Sequence, residues 1–213
     1  MTEPSAAMTR PELITSLKAM LGGTAEKFSA EDDADFRRQL DLAALALARR
    51  RPRAREGTVV LEAGVHAYGL PEDCAEVLYS LWGRAESRRI RPWAPHHPGP
   101  LPRHSVVETG AGRKLVLDPA PTLGQLQTLG SAYRFRYLAA HRIGDEAADT
   151  TVQPADRHLL LLRALAEAMA ELAAREITAP VQLHRGIGSV PRNGTPAALH
   201  EQLLKAFEME AAR

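Results

Sequence analysis

The stretch PADRHLLLLRALAEAMAELAAREI, residues 154–177, decides the fold class, because it is the longest uninterrupted helical pattern in the chain. Leu159, Leu162, Leu165, Ala166, Met169, Leu172 and Ala173 recur at spacings of three and four, the signature of one helix face. Arg163, Glu167, Glu171 and Arg175 run up the opposite side. Arg163 with Glu167 and Glu171 with Arg175 can therefore pair across one turn, for about 0.3 kcal/mol each. Leu160 and Leu161 lie off the main stripe, which predicts a first turn buried on more than one side. Asp156 or Gln153 is expected to cap the start, with Pro154 in the first turn, where a missing N–H costs little.

Outward from that helix, the bulk numbers are those of an ordinary globular chain. It has 213 residues, 45% of them hydrophobic and 25% charged, enough to bury a real core. A net charge of +1 makes no global case for nucleic acid or a membrane surface. The single cysteine, Cys74, excludes an internal disulfide framework and fits a reducing compartment. No apolar run reaches membrane-spanning length, and the start MTEPSAAMTRPE lacks the basic and apolar regions of a secretion signal. Synthesis and assembly in a cytoplasm are expected.

Residues 1–8 read as a loose tail. Thr9-Arg10-Pro11-Glu12 reads as a helix start. Leu13, Ile14, Leu17, Met20 and Leu21 form its apolar face, and Gly22-Gly23 its stop. A second helix is expected from a Ser29 cap, with an acidic beginning and Arg49, Arg50 and Arg51 at its end, a polarity that suits the helix dipole. Its face is Phe36, Leu40, Ala43, Ala44 and Leu47, and Pro52 ends it. Residues 57–63 read as a strand and residues 72–82 as a third helix.

From about residue 84 the texture changes. The proline-rich segment 90–102 is loop. Residues 104–109 and 114–118 are strands, joined by the hairpin signal Gly110-Ala111-Gly112-Arg113. Tyr133-Arg134-Phe135-Arg136-Tyr137 alternates aromatic and arginine, the period of a strand with one buried face. A small antiparallel β-insertion is thus expected over about 84–140. Residues 178–196 show no periodicity and read as a linker, and segments of that length in a compact domain are commonly functional or ordered by a partner. Thr195-Pro196 opens a last helix, whose stripe Leu199, Leu203, Leu204 and Phe207 is expected to meet another chain.

No constellation for catalysis stands out. His96-His97 lacks the further ligands a metal needs. Cys74 has no activating neighbour and is expected to be a small apolar residue on the third helix. Ser105, Asp118 and His141 lack a strained nucleophile turn. Gly186-Ile187-Gly188 follows no strand and is not a dinucleotide fingerprint. No catalytic, cofactor or metal residues are therefore assigned. Two basic clusters carry more weight: Arg49, Arg50, Arg51, Arg53 and Arg55, and Arg84, Arg88, Arg89 and Arg91. Each reads either as a solvated helix end or as a contact for phosphate or an acidic partner. No stacking aromatics interleave them, which argues against sequence readout of nucleic acid.

Leu115-Val116-Leu117-Asp118-Pro119-Ala120-Pro121, the alternating strand 133–137, His141, Thr150-Thr151-Val152, Pro154-Ala155-Asp156 and the Leu/Ala-rich helix after them resemble the head–tail connector adaptor proteins of long-tailed bacteriophages. The N-terminal helix pair looks like the same family's opening. The resemblance implies a small helical bundle with an extended C-terminal segment. The β-insertion read from the residues is larger than the simplest members carry. Together these make the expected fold class mainly α, a small helical bundle with an antiparallel β-insertion and an extended C-terminal arm ending in a helix. The resemblance also implies a structural, non-enzymatic virion protein. Such a protein assembles as a ring, commonly a 12-mer, beneath the portal protein, extends the DNA channel and offers a platform to neck or tail proteins. Packaged DNA would be met only by non-specific channel contact, with no membrane involved. The protein's place would be the head–tail neck of the virion, assembled in the bacterial host cytoplasm.

The expected organisation is a bundle domain over 1–177 and a linker with docking helix over 178–213. Leu199, Leu203, Leu204 and Phe207 are the candidate portal-docking residues. Arg49, Arg50, Arg51, Arg53 and Arg55 are candidate channel or acidic-partner contacts. Removal of residues 195–213 is expected to leave a folded core that no longer attaches to the portal. Leu160 and Leu161 are candidates for contact between subunits. Two other readings remain at this point, a tail-side neck or tail-completion protein, and a DNA-binding module using Arg49, Arg50, Arg51, Arg53 and Arg55.

Overall fold

A computed structural model describes residues 8–110, 112–175, 179–183 and 193–212. The tail 1–7 and the Gly186-Ile187-Gly188 segment lie outside the described residues. The chain divides into two compact units, one of Met1–Pro52 with His141–Arg213 and one of Arg53–Ala140. The fold is mainly helical, with six α-helices and small antiparallel sheets among the described residues.

The first unit is a helical bundle of α1 (Arg10–Leu21), α2 (Ala34–Arg50), α5 (Arg157–Ala174) and α6 (Pro196–Ala211). The apolar faces expected for α1 and α2 are buried as read from their spacing. Thr9 caps α1, its Oγ1 accepting from the Glu12 N–H at 3.4 Å. The start of α2 departs from expectation. Ser29 is not its cap, and Asp32 and Asp33 instead adopt φ of 53° and 57°. Asp33 then reaches Lys18 at 2.6 Å.

Helix α5 is the axis of this unit. Leu159, Leu160, Leu161, Leu162, Ala164, Leu165, Ala166, Ala168, Met169 and Leu172 are all buried. Burial extends beyond one stripe because α1, α2 and α6 all pack against this helix. Leu160 and Leu161, expected at a subunit contact, are core residues of the monomer. The pairs Arg163–Glu167 and Arg175–Glu171 form on the remaining side. Neither Gln153 nor Asp156 caps with its side chain. A 3-10 turn over Pro154–Asp156 leads in, and the Asp156 carboxylate is engaged elsewhere.

The second unit holds two three-stranded antiparallel sheets. One has the order β1 (Arg53–Val60), β6 (Ala132–Ala139), β3 (Cys74–Ser80), and the other β2 (Ala67–Gly69), β5 (Gly112–Asp118), β4 (Arg103–Thr109). Short helices α3 (Arg84–Arg89) and α4 (Leu123–Leu129) fill the connections. Strand β6 sits in the middle of its sheet and alternates as its sequence dictates, with Tyr133, Phe135 and Tyr137 buried and Arg134 and Arg136 exposed. These aromatics share one core with Leu115 and Leu117 of β5.

The β-unit is larger than the 84–140 insertion expected, because β1 pairs along β6 from Arg53↔Ala139 to Val60↔Ala132. The expected third helix at 72–82 is strand β3, and Cys74 is a buried strand residue. Its register shifts between Cys74 and Glu76 and again between Val77 and Tyr79. Each irregularity inserts a residue, so buried positions fall at Cys74, Val77 and Ser80, a spacing of three that imitates a helix face. Part of the expected linker is also regular, since β7 (Val181–Gln182) pairs with β8 (Asn193–Gly194). Val181 and Leu183 are buried in the bundle core.

Gly57 stands opposite Phe135 in the ladder, and a Cβ there would lie 2.6 Å from the ring. The ring is fully buried between Tyr133 and Tyr137 and has no room to withdraw. Gly57→Ala is expected to destabilise the β-unit by about 1–3 kcal/mol, the usual cost of overpacking. Urea unfolding followed by aromatic fluorescence checks this, and an unchanged midpoint would contradict the tight packing.

Glu171 ties α5 to α2. Its Oε2 accepts from Arg38 at 2.8 Å and from Gln39 at 3.0 Å, and Arg175 pairs with Oε1. Burial by itself would push this carboxyl up, but the hydrogen bonds from Gln39 and Arg38 and the charges of Arg38 and Arg175 outweigh it and hold the pKa below the usual value. The folded state therefore binds the proton less readily than the unfolded chain. The stabilisation is complete above about pH 4.3, where an unperturbed glutamate titrates, and is lost as pH falls through the lower folded value. Unfolding midpoints at neutral pH and near pH 3 should fall further for the wild type than for Glu171→Gln, and equal falls would exclude this contribution.

Candidate docking surfaces

The two groups of site residues singled out in the sequence are largely engaged within the chain, the α6 stripe in the bundle core and the arginines with other partners. Helix α6 opens with a Thr195 cap, Oγ1 accepting from the Ala198 N–H at 3.4 Å, and with Pro196 in the first turn. Its apolar stripe lies against α5. Leu199, Leu203 and Phe207 are almost completely buried, and Leu204 is half-buried. The Phe207 ring also receives the Arg163 guanidinium, 5.7 Å from its centroid. This corrects the expectation of a helix held free for another chain. An amphipathic stripe minimises its free energy on the nearest apolar surface, and α5 supplies that surface within the same chain. The side of α6 turned to solvent carries Gln202, Lys205 and Met209, the last 58% exposed.

The arginines at the end of α2 clamp the far end of α6. Arg50 pairs with Glu208 at 3.1 Å. Arg51 donates to the Asp156 carboxylate at 2.7 Å and lies 3.4 Å from the Ala211 carbonyl and 3.5 Å from that of Glu210. A cation at the last carbonyls of a helix satisfies otherwise orphaned acceptors and opposes the negative end of the dipole. His141 holds the same corner from below, its Nε2 lying 3.0 Å from the Arg51 carbonyl oxygen.

The remaining cluster residues belong to the β-unit. Arg53 donates to the Ala140 carbonyl at 3.4 Å. Arg55 pairs with Asp73 at 2.6 Å, and Tyr137 donates to the other oxygen of the same carboxylate at 3.0 Å. Burial tends to raise the Asp73 pKa, but the hydrogen bonds from Arg55 and Tyr137 prevail and hold it below the usual carboxylate range. Of the five arginines, Arg49 alone has no ion pair or hydrogen bond among the described residues, and it is exposed. Four of the five arginines are thus engaged within the chain, with the Arg50 and Arg55 side chains still 53% and 50% exposed.

One apolar surface went unnoticed in the sequence. Leu42 and Leu45 project from α2 and are more than two-fifths exposed. They sit three residues apart on the face away from α5, a signal masked by the alanines around them. The second basic cluster is exposed throughout, on and just after α3.

The helical bundle and the β-unit together fall within one family. The SU10 adaptor protein family matches residues 8–207. The chain belongs to that family. It is a bacteriophage head–tail adaptor, a structural protein and not an enzyme. No curated protein matches the sequence. The family match runs from the residue before the α1 cap to Phe207, so it includes the β-unit and three quarters of α6. No helix among the described residues is long and apolar enough to cross a membrane.

Because α6 completes the core, Phe207→Ala is expected to cost about 3–5 kcal/mol. Deletion of residues 195–213 should leave a bundle with an exposed α5 that binds hydrophobic dyes, where the sequence alone led to the expectation of a folded core that no longer attaches to the portal. Arg51→Ala should raise hydrogen exchange in the last turns of α6 well before it alters α1. Uniform exchange in the variant and the wild type would remove the clamp from the account.

Proposed function

We propose that this adaptor assembles as a twelve-membered ring beneath the portal protein, continues the DNA channel, and presents a platform to neck or tail proteins. Membership of the phage head–tail adaptor family across both units carries this reading. In a ring each subunit uses two different faces, so two adhesive surfaces are required per chain. Leu42 and Leu45 on α2 supply one apolar candidate. Portal docking, first sought in the buried stripe of α6, falls to its outward side, where Gln202, Lys205 and Met209 lie in line and Leu204 borders them. Packaged DNA passes with non-specific contact only, and Arg49 is the member of its cluster open to make it. The place of action is the head–tail neck of the virion.

The adaptor reading is favoured over a DNA-binding module, because Arg50, Arg51, Arg53 and Arg55 each have a partner within the protein. A tail-side neck protein is separated by direct comparison. Purified adaptor should co-sediment with portal rings and not with tail-tube protein alone. Met209→Asp should weaken that co-sedimentation while leaving the circular dichroism spectrum unchanged. Retention by tail-tube protein and not by portal would replace this reading with the tail-side one.

A further inference from the structure

The β-unit contains a cleft of about 330 Å³. Trp82, Leu101 and Pro102 give it apolar walls, Arg84 and Arg103 give it a cationic rim, and His104 also lines it. The walls are fixed in place. Trp82 donates its Nε1–H to the Gly130 carbonyl at 3.0 Å and its backbone N–H to Ser80 Oγ at 3.0 Å. Gly83 turns the chain at φ 68°, so close to Leu101 and Leu129 that a Cβ would lie within 2.8 Å of both. Gln125, buried on α4, donates to the Pro98 and Pro100 carbonyls at 3.0 and 2.9 Å and so anchors the proline-rich wall. A preformed cleft loses little conformational freedom when it is filled.

Its surroundings are strongly one-signed. Residues 84–104 hold five arginines and a single carboxylate, Glu86. Arg84, Arg88, Arg89, Arg91 and Arg103 are all exposed, and among the described residues none pairs with a carboxylate. Trp93 is 77% exposed beneath the Arg91 guanidinium, and Leu81 beside the cleft is 64% exposed. Exposed arginine and tryptophan side by side are the composition of a protein–protein hot spot. A DNA-backbone site would call for cations on a polar surface. The cleft itself has room for a side chain or two and lies at the small end of the ligand-pocket range of roughly 300–1,000 Å³.

We propose that this cleft and the arginines around it bind an extended acidic peptide segment of a partner protein. One apolar side chain of that segment fills the space between Trp82, Leu101 and Pro102, and carboxylates on either side meet Arg84 and Arg103, with Arg88, Arg89 and Arg91 beyond. The site lies wholly within the β-unit and stands whether or not the ring is twelvefold.

A random peptide library panned against the full-length chain tests this, with an Arg84→Ala/Arg103→Ala variant as counter-target and a short DNA duplex as competitor. Both arginines are exposed, so the variant keeps the fold, and its circular dichroism spectrum verifies that. Enriched peptides should place Asp or Glu around an apolar residue, and the best should bind the variant about tenfold more weakly, the loss of two exposed charge pairs. Arg84→Glu/Arg103→Glu should lose the acidic peptides altogether. Enrichment without acidic residues, equal binding to the variant, no enrichment, or displacement of every peptide by a duplex that binds more tightly would each overturn the proposal.

Discussion

The burial of α5 on three sides is the constraint on which the bundle depends. One helix cannot satisfy that requirement alone, and α1, α2 and α6 each cover part of it. The run of four leucines at its start makes the demand severe, since all four are nearly or wholly inaccessible. Removing any covering helix would return a row of leucine and alanine side chains to water, at about 25 cal/mol for each Å². The C-terminal helix is therefore part of the scaffold before it is anything else, and whatever it offers a partner must come from its other side.

Electrostatics supports this packing at its ends. Arg50 and Arg51 hold α6 to the corner where α2 stops and α5 begins, and Glu171 gathers Arg38, Gln39 and Arg175 at the opposite end of α5. Exposed ion pairs contribute little singly. The carboxylates of Asp156 and Glu171 are mostly withdrawn from water, and losing Arg51 or Arg38 would leave a largely buried carboxylate short of a partner. The β-unit repeats the pattern on a smaller scale, with Asp73 bridging Arg55 and Tyr137 beside an aromatic core.

Much of this was legible in the sequence, and the exceptions have physical causes. The period of α5, the faces of α1 and α2, the hairpin of β4 and β5 and the alternation of β6 follow from local spacing. Strand β3 was hidden because two register irregularities turned a period of two into a period of three. The stripe Leu199, Leu203 and Phe207 was visible, but a stripe does not say which surface it covers. The arginine cluster was visible as well, but its carboxylate partners stand far along the chain, Asp156 at a separation of 105 residues and Glu208 at 158. Local reading finds unpaired charge wherever pairing is non-local. The exposed leucines of α2 and the cleft beside α3 exist only once the chain has folded.

The central claim is that this chain is a ring component between portal and tail. Cryo-electron microscopy of the intact virion neck, with the bundle and the β-unit fitted separately into density, tests it most directly. The account predicts a closed ring of copies seated against the portal, with α6 packed on α5 within each copy. Density for the chain elsewhere in the particle, or α6 withdrawn from its own bundle and inserted in the portal, would contradict it.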